Sequence, residues 1–285
     1  MGRVVAAACL SHSPGITGFP ERAEREAARR VLGALEQLRE GLARSAPDAV
    51  VVFSAEHFTN FSLANLPTFA VGTATGYDLP SSDAFARFLA IPRRRYPGAD
   101  RLGCAIHRGL VQRGFDVSLV AGGYGFDEGF AVPLAVLFGG RPVPVVPVVV
   151  NAVQEPYPTL ARCRALGEAV RAAIEAQDHA ARVAVLGTGG LSHWVGLPRA
   201  GEIDAEFDRR FLDAFEAGEM DAMGSLPEAD IDRAGNGAHE IRAWIAAAAA
   251  GGGASFEVLA YEPVPAWLTG TCVARARLAN ERGNT

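Results

Sequence analysis

The chain has 285 residues, of which 49% are hydrophobic, and its formal net charge is -5 at pH 7. A chain of this length and composition can bury a full core and is expected to fold alone. Acidic and basic residues are spread along the sequence, so no basic face offers itself to phosphate backbones and nucleic acid is not expected as a partner. The first apolar stretch is too short for a membrane span or a secretion signal, so we expect no membrane association.

The cysteines are few and lie far apart, at Cys9, Cys104, Cys163 and Cys272. None of them forms a C-x-x-C pair, which argues against a zinc knuckle and against a redox motif. Buried free thiols are typical of proteins in a reducing compartment. The cysteine pattern therefore predicts a cytoplasmic protein.

Short apolar runs alternate with helical segments along most of the chain. Buried strands that lead into polar or glycine-rich loops are predicted at residues 4–10, 48–53, 117–121, 143–150 and 183–186. Helices are predicted at residues 21–46, 158–176, 204–217 and 237–250, and closing strands at 255–261 and 271–276. This alternation predicts an α/β fold with a mostly parallel or mixed central sheet flanked by helices, whose ligands bind at the carboxyl ends of the strands.

The domain organisation predicted from the sequence is simple. We find no internal repeat, no long linker and no low-complexity tail before roughly the last eight residues. The economical interpretation is a single domain over residues 1–277. Residues 278–285 follow the last predicted strand and are predicted to form a frayed tail.

Three of the histidines, His12, His57 and His193, lie in loops that directly follow predicted strands. A lone loop histidine is usually explained by a hydrogen bond to the backbone, but three at equivalent positions indicate a shared site. Two neutral imidazoles and one carboxylate on one face of a metal leave positions open for a substrate and O₂, which is typical of non-haem Fe(II) oxygenases. His12 and His57 can supply the imidazoles, whereas these considerations do not choose the carboxylate.

Four motifs occur in order along the chain: SHSP at residues 11–14, SAEHF at 54–58, GTGGLSH at 187–193 and HEIRAW at 239–244. In order and approximate spacing they resemble the motifs of the class III extradiol dioxygenases. That family includes the catalytic subunit of protocatechuate 4,5-dioxygenase and the 2,3-dihydroxyphenylpropionate 1,2-dioxygenases, and the resemblance is closest to the second group. It spans nearly the whole chain, including YEPVPAW at residues 261–267.

The resemblance assigns roles to four residues of this sequence. It implies that His12 and His57 are the imidazole ligands of Fe(II), that Glu240 is the carboxylate ligand, and that His193 is the acid/base residue beside the iron. It also implies a homo-oligomer that uses O₂ to open the ring of a small aromatic diol, beside rather than between the hydroxyl-bearing carbons.

One position departs from the family pattern. The segment Asp127-Glu128-Gly129 corresponds to Asp-His-Gly in the relatives, where the histidine is a second acid/base residue. Glu128 is predicted either to carry protons in its place or to serve as a polar pocket residue. As an anion it would repel an anionic substrate tail and favour a cationic or N–H-bearing ring. The predicted substrate is therefore a catechol derivative, a hydroxypyridone or a dihydroxypyridine.

Two tyrosines are predicted to contact the substrate. Tyr77 and Tyr124 fall in predicted loops that are expected to face the cleft. Tyrosines at sheet edges are more often packing residues whose hydroxyl group has a hydrogen-bond partner. The alternative interpretation is therefore that both tyrosines only pack in the core.

Two other functions stay open at this point. The same two histidines and one glutamate can hold Zn²⁺ and activate water for hydrolysis. A non-catalytic relative of the same fold can act as a scaffold, although such a protein need not keep all four site residues. The glycine-rich loop at residues 187–190 lacks the spacing of a nucleotide-binding motif.

Overall fold

The computed structural model describes residues 1–196 and 198–278. Of the predicted frayed tail, every residue except Leu278 lies outside the described residues. Within the described ranges, eight strands form one mixed sheet and two more form a separate antiparallel pair. The strands are β1 (Arg3–Leu10), β2 (Ala49–Ser54), β3 (Phe69–Gly72), β4 (Gly76–Leu79), β5 (Arg94–Pro97), β6 (Ser118–Val120), β7 (Val145–Val150), β8 (Arg182–Thr188), β9 (Phe256–Val264) and β10 (Thr269–Ala276).

Helices fill most of the connections between the strands. They are α1 (Gly15–Gly18), α2 (Arg25–Ser45), α3 (Asp83–Leu89), α4 (Asp100–Gln112), α5 (Glu128–Phe138), α6 (Leu160–Ala176), α7 (Ala205–Ala217), α8 (Met220–Gly224), α9 (Glu228–Ala234) and α10 (Ile241–Ala250). Short 3-10 turns lie at Pro20–Arg22, Ala238–Glu240 and Pro265–Trp267. No helix among the described residues is long and apolar enough to cross a bilayer.

The strand order places the predicted site at the middle of the main sheet. The order is β6-β3-β7-β2-β8-β1-β10-β9, and β2, β8 and β1 are adjacent, parallel strands. Parallel neighbours end at the same edge of a sheet, so the loops after these three strands lie side by side. Those loops carry His57, His193 and His12.

The sheet is buried on both faces, as a largely parallel sheet requires. Along β2, Val51 and Phe53 belong to the core layer that contains α4, α6 and α10, whereas Val50 and Val52 belong to the layer that contains α2 and α5. All four side chains are fully buried. Helices on both faces keep the strand ends fixed, so the loops that follow them start from a rigid scaffold.

The predicted α/β fold with a mixed central sheet is confirmed, and every predicted strand is present. The sequence patterns missed β3, β4, β5 and six helices: α1, α3, α4, α5, α8 and α9. The strands among these have only four residues each, too few to show a period. The predicted helix over residues 237–250 starts as a 3-10 turn, and α10 proper begins at Ile241.

Candidate metal centre and active site

His12, His57 and Glu240 converge at the carboxyl edge of the sheet. The two histidines follow β1 and β2, and Glu240 is the last residue of the 3-10 turn that leads into α10. Glu240 Oε1 lies 2.9 Å from His57 Nε2 and 3.4 Å from His12 Nε2. One ligand-capable atom from each of the three residues lies within 4.8 Å of the other two. The arrangement can hold a metal ion.

His12 is held by a hydroxyl group at the end of β8. Its Nδ1 lies 3.3 Å from Thr188 Oγ1, which is also 2.8 Å from the carbonyl oxygen of Gly129. A carbonyl oxygen only accepts hydrogen bonds, so the Thr188 hydroxyl donates to Gly129 and its oxygen accepts from His12 Nδ1–H. We infer that His12 Nε2 carries the free lone pair and faces Glu240.

His57 is held by Asp127, which lies 70 residues further along the chain. One carboxylate oxygen, Asp127 Oδ2, accepts the His57 backbone N–H at 2.7 Å and lies 3.1 Å from its Nδ1. Burial works against the ionised carboxylate, but the charge of His57 and its hydrogen bonds prevail and lower the pKa of Asp127. A carboxylate on Nδ1–H fixes the ring orientation and leaves Nε2 free for a metal.

Glu240 is pressed against the glycine-rich loop after β8. The Gly190 N–H donates to Glu240 Oε2 at 2.5 Å. At Gly189, where φ is +156°, an added Cβ atom would lie 2.6 Å from the Cβ atom of Glu240. Only glycine has both the backbone freedom and the small size for this approach. The loop therefore fixes the direction in which the carboxylate points.

The electrostatics of the cluster favour a positive charge between Glu240 and the imidazoles. Burial opposes the charged form of His57, but Asp127 first and then Glu240 and Glu128 raise its pKa well above the usual value. Burial likewise opposes the anion of Glu240. The positive charges of the histidines and their hydrogen bonds to the carboxylate outweigh this effect and lower the pKa of Glu240 well below the usual value. Such a site attracts either protons or a metal cation.

His193 stands beside this cluster without belonging to it. Its Nε2 lies 3.9 Å from Glu240 Oε2, and its Nδ1 lies 2.9 Å from the carbonyl oxygen of Leu191. The carbonyl oxygen must accept, so Nδ1 carries the proton and Nε2 is the free base. An added Cβ atom at Gly237 would lie 2.0 Å from Nε2, so glycine is needed at this contact. Burial lowers the pKa of His193, which keeps Nε2 unprotonated.

A cavity of about 240 Å³ opens onto the four residues. Glu128 also lines it, and much of the remaining lining is apolar: Pro14, Phe88, Val195, Trp267 and Leu268. Phe88, Val195 and Leu268 are about half exposed, so they lie at the mouth. A cavity of about 150 Å³ is enough for benzene, so this one can take a single substituted ring.

Comparisons with known proteins now decide the family. The model of the family described as the catalytic LigB subunit of aromatic ring-opening dioxygenase matches residues 6–271. The chain belongs to this family. The resemblance drawn from the four sequence motifs is thereby confirmed, and the protein is a ring-cleaving dioxygenase. Enzymes of this family are metal-dependent, and the family match favours the dioxygenase over the hydrolase and scaffold alternatives.

Two named relatives align with almost the whole chain of the dioxygenase. The 2,3-dihydroxyphenylpropionate/2,3-dihydroxicinnamic acid 1,2-dioxygenase of Klebsiella pneumoniae is 30% identical over 316 aligned positions, which cover 92% of this chain and 95% of the relative. The protein of the same name from Escherichia coli O139:H28 is 30% identical over 324 positions, with 95% and 98% covered. The crystal structure of an uncharacterized protein from Escherichia coli K12 has the same fold, with a TM-score of 0.54, 14% identity, and 95% and 99% of the two chains covered.

The structure does not bring Tyr77 and Tyr124 of the dioxygenase into the cavity. Tyr77 lies in β4 rather than in a loop and is fully buried, and its hydroxyl oxygen accepts the Ala74 N–H. Tyr124 is 5% exposed and packs edge-on against Tyr77 and Phe126. Neither tyrosine is among the residues that line the cavity. Their aromatic rings pack with Phe126 in the core.

Sequence reasoning missed the residues that hold the site residues in place. Asp127 lies in the same segment as Glu128, and Thr188 lies in the third motif. The sequence patterns predict no function for either residue. The available signals were the position of Thr188 close to the end of a predicted strand and the preference of aspartate for the start of a helix. Asp208, which supports the His193 loop, lies inside a helix, and no pattern in the sequence points to it.

Asp208 ties the loop before His193 to α7 and β9. Its carboxylate accepts the Ser192 backbone N–H at 2.7 Å, the Ser192 hydroxyl at 2.9 Å and the Tyr261 hydroxyl at 2.7 Å. Burial nevertheless raises the pKa of Asp208 to about 6. The folded chain therefore binds this proton more tightly than the unfolded chain does.

This shift predicts a pH-dependent stability. The raised pKa favours folding below the unfolded value near 3.8, and that contribution is lost as the pH rises through about 6. Relative to Asp208→Asn, whose side chain cannot ionise, the wild type should lose roughly 2 kcal/mol of unfolding free energy between about pH 4.5 and about pH 8. Urea unfolding of the metal-free chains measures this difference, and a pH-independent gap between the two proteins would contradict it.

Proposed function

We propose that this dioxygenase binds Fe(II) through His12, His57 and Glu240 and opens the ring of a catechol-like substrate beside its hydroxyl-bearing carbons. Both atoms of O₂ enter the product. The observation that carries the proposal is the convergence of two imidazole Nε2 atoms on one carboxylate at 2.9 and 3.4 Å. The cavity opens onto this cluster, so the substrate can approach the same ion.

The chemistry of the ligands fits iron. Two neutral imidazoles and one carboxylate are the ligand set of non-haem Fe(II) oxygenases. Asp127 and Thr188 hold the Nδ1 atoms of the two histidines, so both Nε2 atoms are aimed at Glu240 before any metal binds. Bound Fe(II) would supply the redox centre that the aromatic diol and O₂ share. Softer thiolate ligands, which would favour other metals, are absent from the lining of the cavity in the described part of the chain.

His193 is the proposed acid/base residue. Its free Nε2 faces Glu240 and lines the cavity, within reach of a ring hydroxyl group placed against the three ligands. There it can accept a proton from that hydroxyl group and return it later to an oxygen atom of the opening ring. Because Leu191 and Gly237 fix the imidazole, little reorganisation is needed for either transfer. The apolar lining limits the access of bulk water during these steps.

The substrate proposed is a small aromatic diol or a hydroxypyridone. The cavity volume of about 240 Å³ suits one ring with a short substituent. The similar enzymes named above act, by name, on 2,3-dihydroxyphenylpropionate and 2,3-dihydroxicinnamic acid. Apolar side chains at the mouth suit the body of such a ring. These features support a ring with two adjacent oxygen atoms turned towards the cluster.

Anaerobic loading with Fe(II), followed by oxygen uptake with a panel of aromatic diols and hydroxypyridones, tests the proposal. We expect iron to bind in a constant ratio to the chain and oxygen consumption to match ring opening one for one. Parallel samples loaded with Zn²⁺ should consume no oxygen, because Zn²⁺ has no redox chemistry. Iron-loaded protein that opens none of the rings would overturn the proposed substrate class. Iron that fails to bind would overturn the ligand assignment.

Asp127→Asn is expected to weaken metal binding by about 10-fold to 100-fold, because a residue that supports a metal-bound histidine has effects of this size. Asparagine caps helices as well as aspartate does, so the start of α5 should survive. Competition with a chromophoric chelator measures the affinity. Asp116→Asn, at an exposed position, is the matched control and should leave the affinity unchanged. Equal metal affinity for Asp127→Asn and the wild type would contradict the supporting role.

The proposed homo-oligomer and cytoplasmic location stay predictions. The first comes from the family resemblance and the second from the cysteine pattern. Cys9, Cys104, Cys163 and Cys272 are all free thiols, and three of them are buried. Sedimentation of the iron-loaded protein measures the oligomeric state, and a single monomeric species would contradict the first prediction.

A further inference from the structure

Glu128 brings a second carboxylate into the cavity beside Glu240. It is the first residue of α5, its side chain is 19% exposed, and its Oε1 lies 3.8 Å from His57 Nδ1. Its other oxygen, Oε2, is buried and accepts no hydrogen bond from any residue that the structure describes. A largely buried carboxylate with too few donors is costly, so a ligand that brings a donor to this carboxylate gains affinity.

The basic group that lies near Glu128 in the cavity is His57, whose Nδ1 is closer to Asp127 Oδ2, at 3.1 Å, than to Glu128 Oε1, at 3.8 Å. Among the described residues that line the cavity, none is an arginine or a lysine. In an occupied site the metal would lie beside Glu240, and the Nδ1–H of His57 is already shared with Asp127. A substrate with an anionic tail would place that tail either against Glu128 or in the apolar mouth formed by Phe88, Val195 and Leu268. Both positions are unfavourable for an anion.

A different ring chemistry satisfies the same cavity. The two ring oxygens belong at His12, His57 and Glu240, and the ring body belongs against the apolar side chains. An N–H group in the ring, or an ammonium group on a short substituent, can then donate to the Glu128 carboxylate, whose side chain is 19% exposed and lines the cavity. A donor to a carboxylate forms a charge-assisted hydrogen bond, which is stronger than a neutral one.

We propose that Glu128 determines specificity by selecting dioxygenated rings that carry an N–H or ammonium donor over rings that carry an anionic tail. The inference rests on the proposed function, because it takes the cluster of His12, His57 and Glu240 as the place where the ring oxygens bind. It deepens that function by naming the substrate class: hydroxypyridones, dihydroxypyridines and amine-bearing catechols. Glu128 is assigned a contact with the substrate at a position away from the reacting oxygens.

Ratios of kcat/KM between matched substrates test the inference on the iron-loaded enzyme. One pair is 2-(2,3-dihydroxyphenyl)ethylamine and 3-(2,3-dihydroxyphenyl)propionate, and the other is 3-hydroxy-4-pyridone and catechol. A uniform loss of activity cancels in such a ratio, so the test does not depend on how active a variant is. For the wild type we expect the donor-bearing member to be preferred by at least about 10-fold in the first pair, since a charge reversal beside a buried carboxylate exceeds the free energy of a tenfold preference.

Glu128→Gln keeps the size of the side chain and removes its charge. We expect this variant to reduce the wild-type ratio for the first pair by about 10-fold or more. Glu155→Gln, at an exposed position outside the cavity, should leave the ratio unchanged. Dissociation constants measured anaerobically for the same substrates should show the same change of ratio without turnover.

Two outcomes would overturn the inference: the wild type could prefer the propionate, or the ratio could be the same in Glu128→Gln and the wild type. An unchanged ratio together with equally slowed turnover of all substrates would identify Glu128 as a proton carrier. In either case oxygen uptake shows that the proposed function holds. Absence of oxygen uptake with every ring would instead overturn the proposed function itself.

Discussion

Replacing Glu240 with glutamine is expected to remove most of the bound metal and nearly all of the turnover. The amide keeps the size of the side chain but loses the negative charge towards which both imidazole Nε2 atoms converge. Removal of a direct ligand should exceed the effect of a supporting residue, so we expect the metal affinity to fall by more than about 100-fold. Iron content after anaerobic loading and chelator competition measure the first effect, and oxygen uptake measures the second.

The control for this variant is Glu168→Gln, at an exposed position on α6. It should match the wild type in iron content and in turnover. The Glu240→Gln protein is expected to fold, since its amide oxygen can still accept the Gly190 N–H. Circular dichroism checks this point independently of the metal. If Glu240→Gln kept full iron content and full turnover, the carboxylate ligand would have to be sought elsewhere.

Three of the four central residues could be located from sequence patterns because the rule behind them is geometric. His12, His57 and His193 each follow an apolar run that reads as a strand, and parallel strands deliver their loops to one edge. The structure bears out this reasoning, because β1, β2 and β8 are adjacent in the sheet. The placement needed no knowledge of side-chain contacts.

Glu240 could not be located in this way. It arrives from a 3-10 turn near the end of the chain, and the contacts that aim it involve Gly189 and Gly190, about 50 residues earlier. Only the family motif drew attention to it. The two carboxylates Asp127 and Asp208 pose the same difficulty, because hydrogen bonds across long stretches of sequence leave no periodic pattern.

The tyrosines show the opposite error. The predicted loops place Tyr77 and Tyr124 in the cleft, but Tyr77 belongs to a strand of four residues, which is too short to recognise from alternation. Both rings fill the core next to Phe126. Burying a large aromatic ring stabilises the folded state more than leaving it exposed in a cleft. This explains why both rings lie in the core and not in the cavity.

His193→Asn is expected to lower kcat by about 100-fold to 10,000-fold while iron binding stays intact, which is the range for loss of an acid/base group. The asparagine amide can still donate to the Leu191 carbonyl oxygen, but it offers no base in place of Nε2. His107→Asn, at a half-buried histidine on α4 outside the cavity, is the matched control and should keep the wild-type kcat. Loss of iron in His193→Asn, in proportion to the loss of kcat, would show that His193 supports the metal instead.

The pH profile separates an acid/base role from a purely structural one. Burial lowers the pKa of His193, so its Nε2 stays free down to a pH below the usual histidine range. Protonation below that pH removes the base, and kcat of the wild type should fall on the acid side as His193 becomes charged. In His193→Asn this fall should disappear, leaving a low and flatter profile. A variant that kept the acid-side fall of the wild type would assign that titration to another group and leave His193 without the proposed proton transfer.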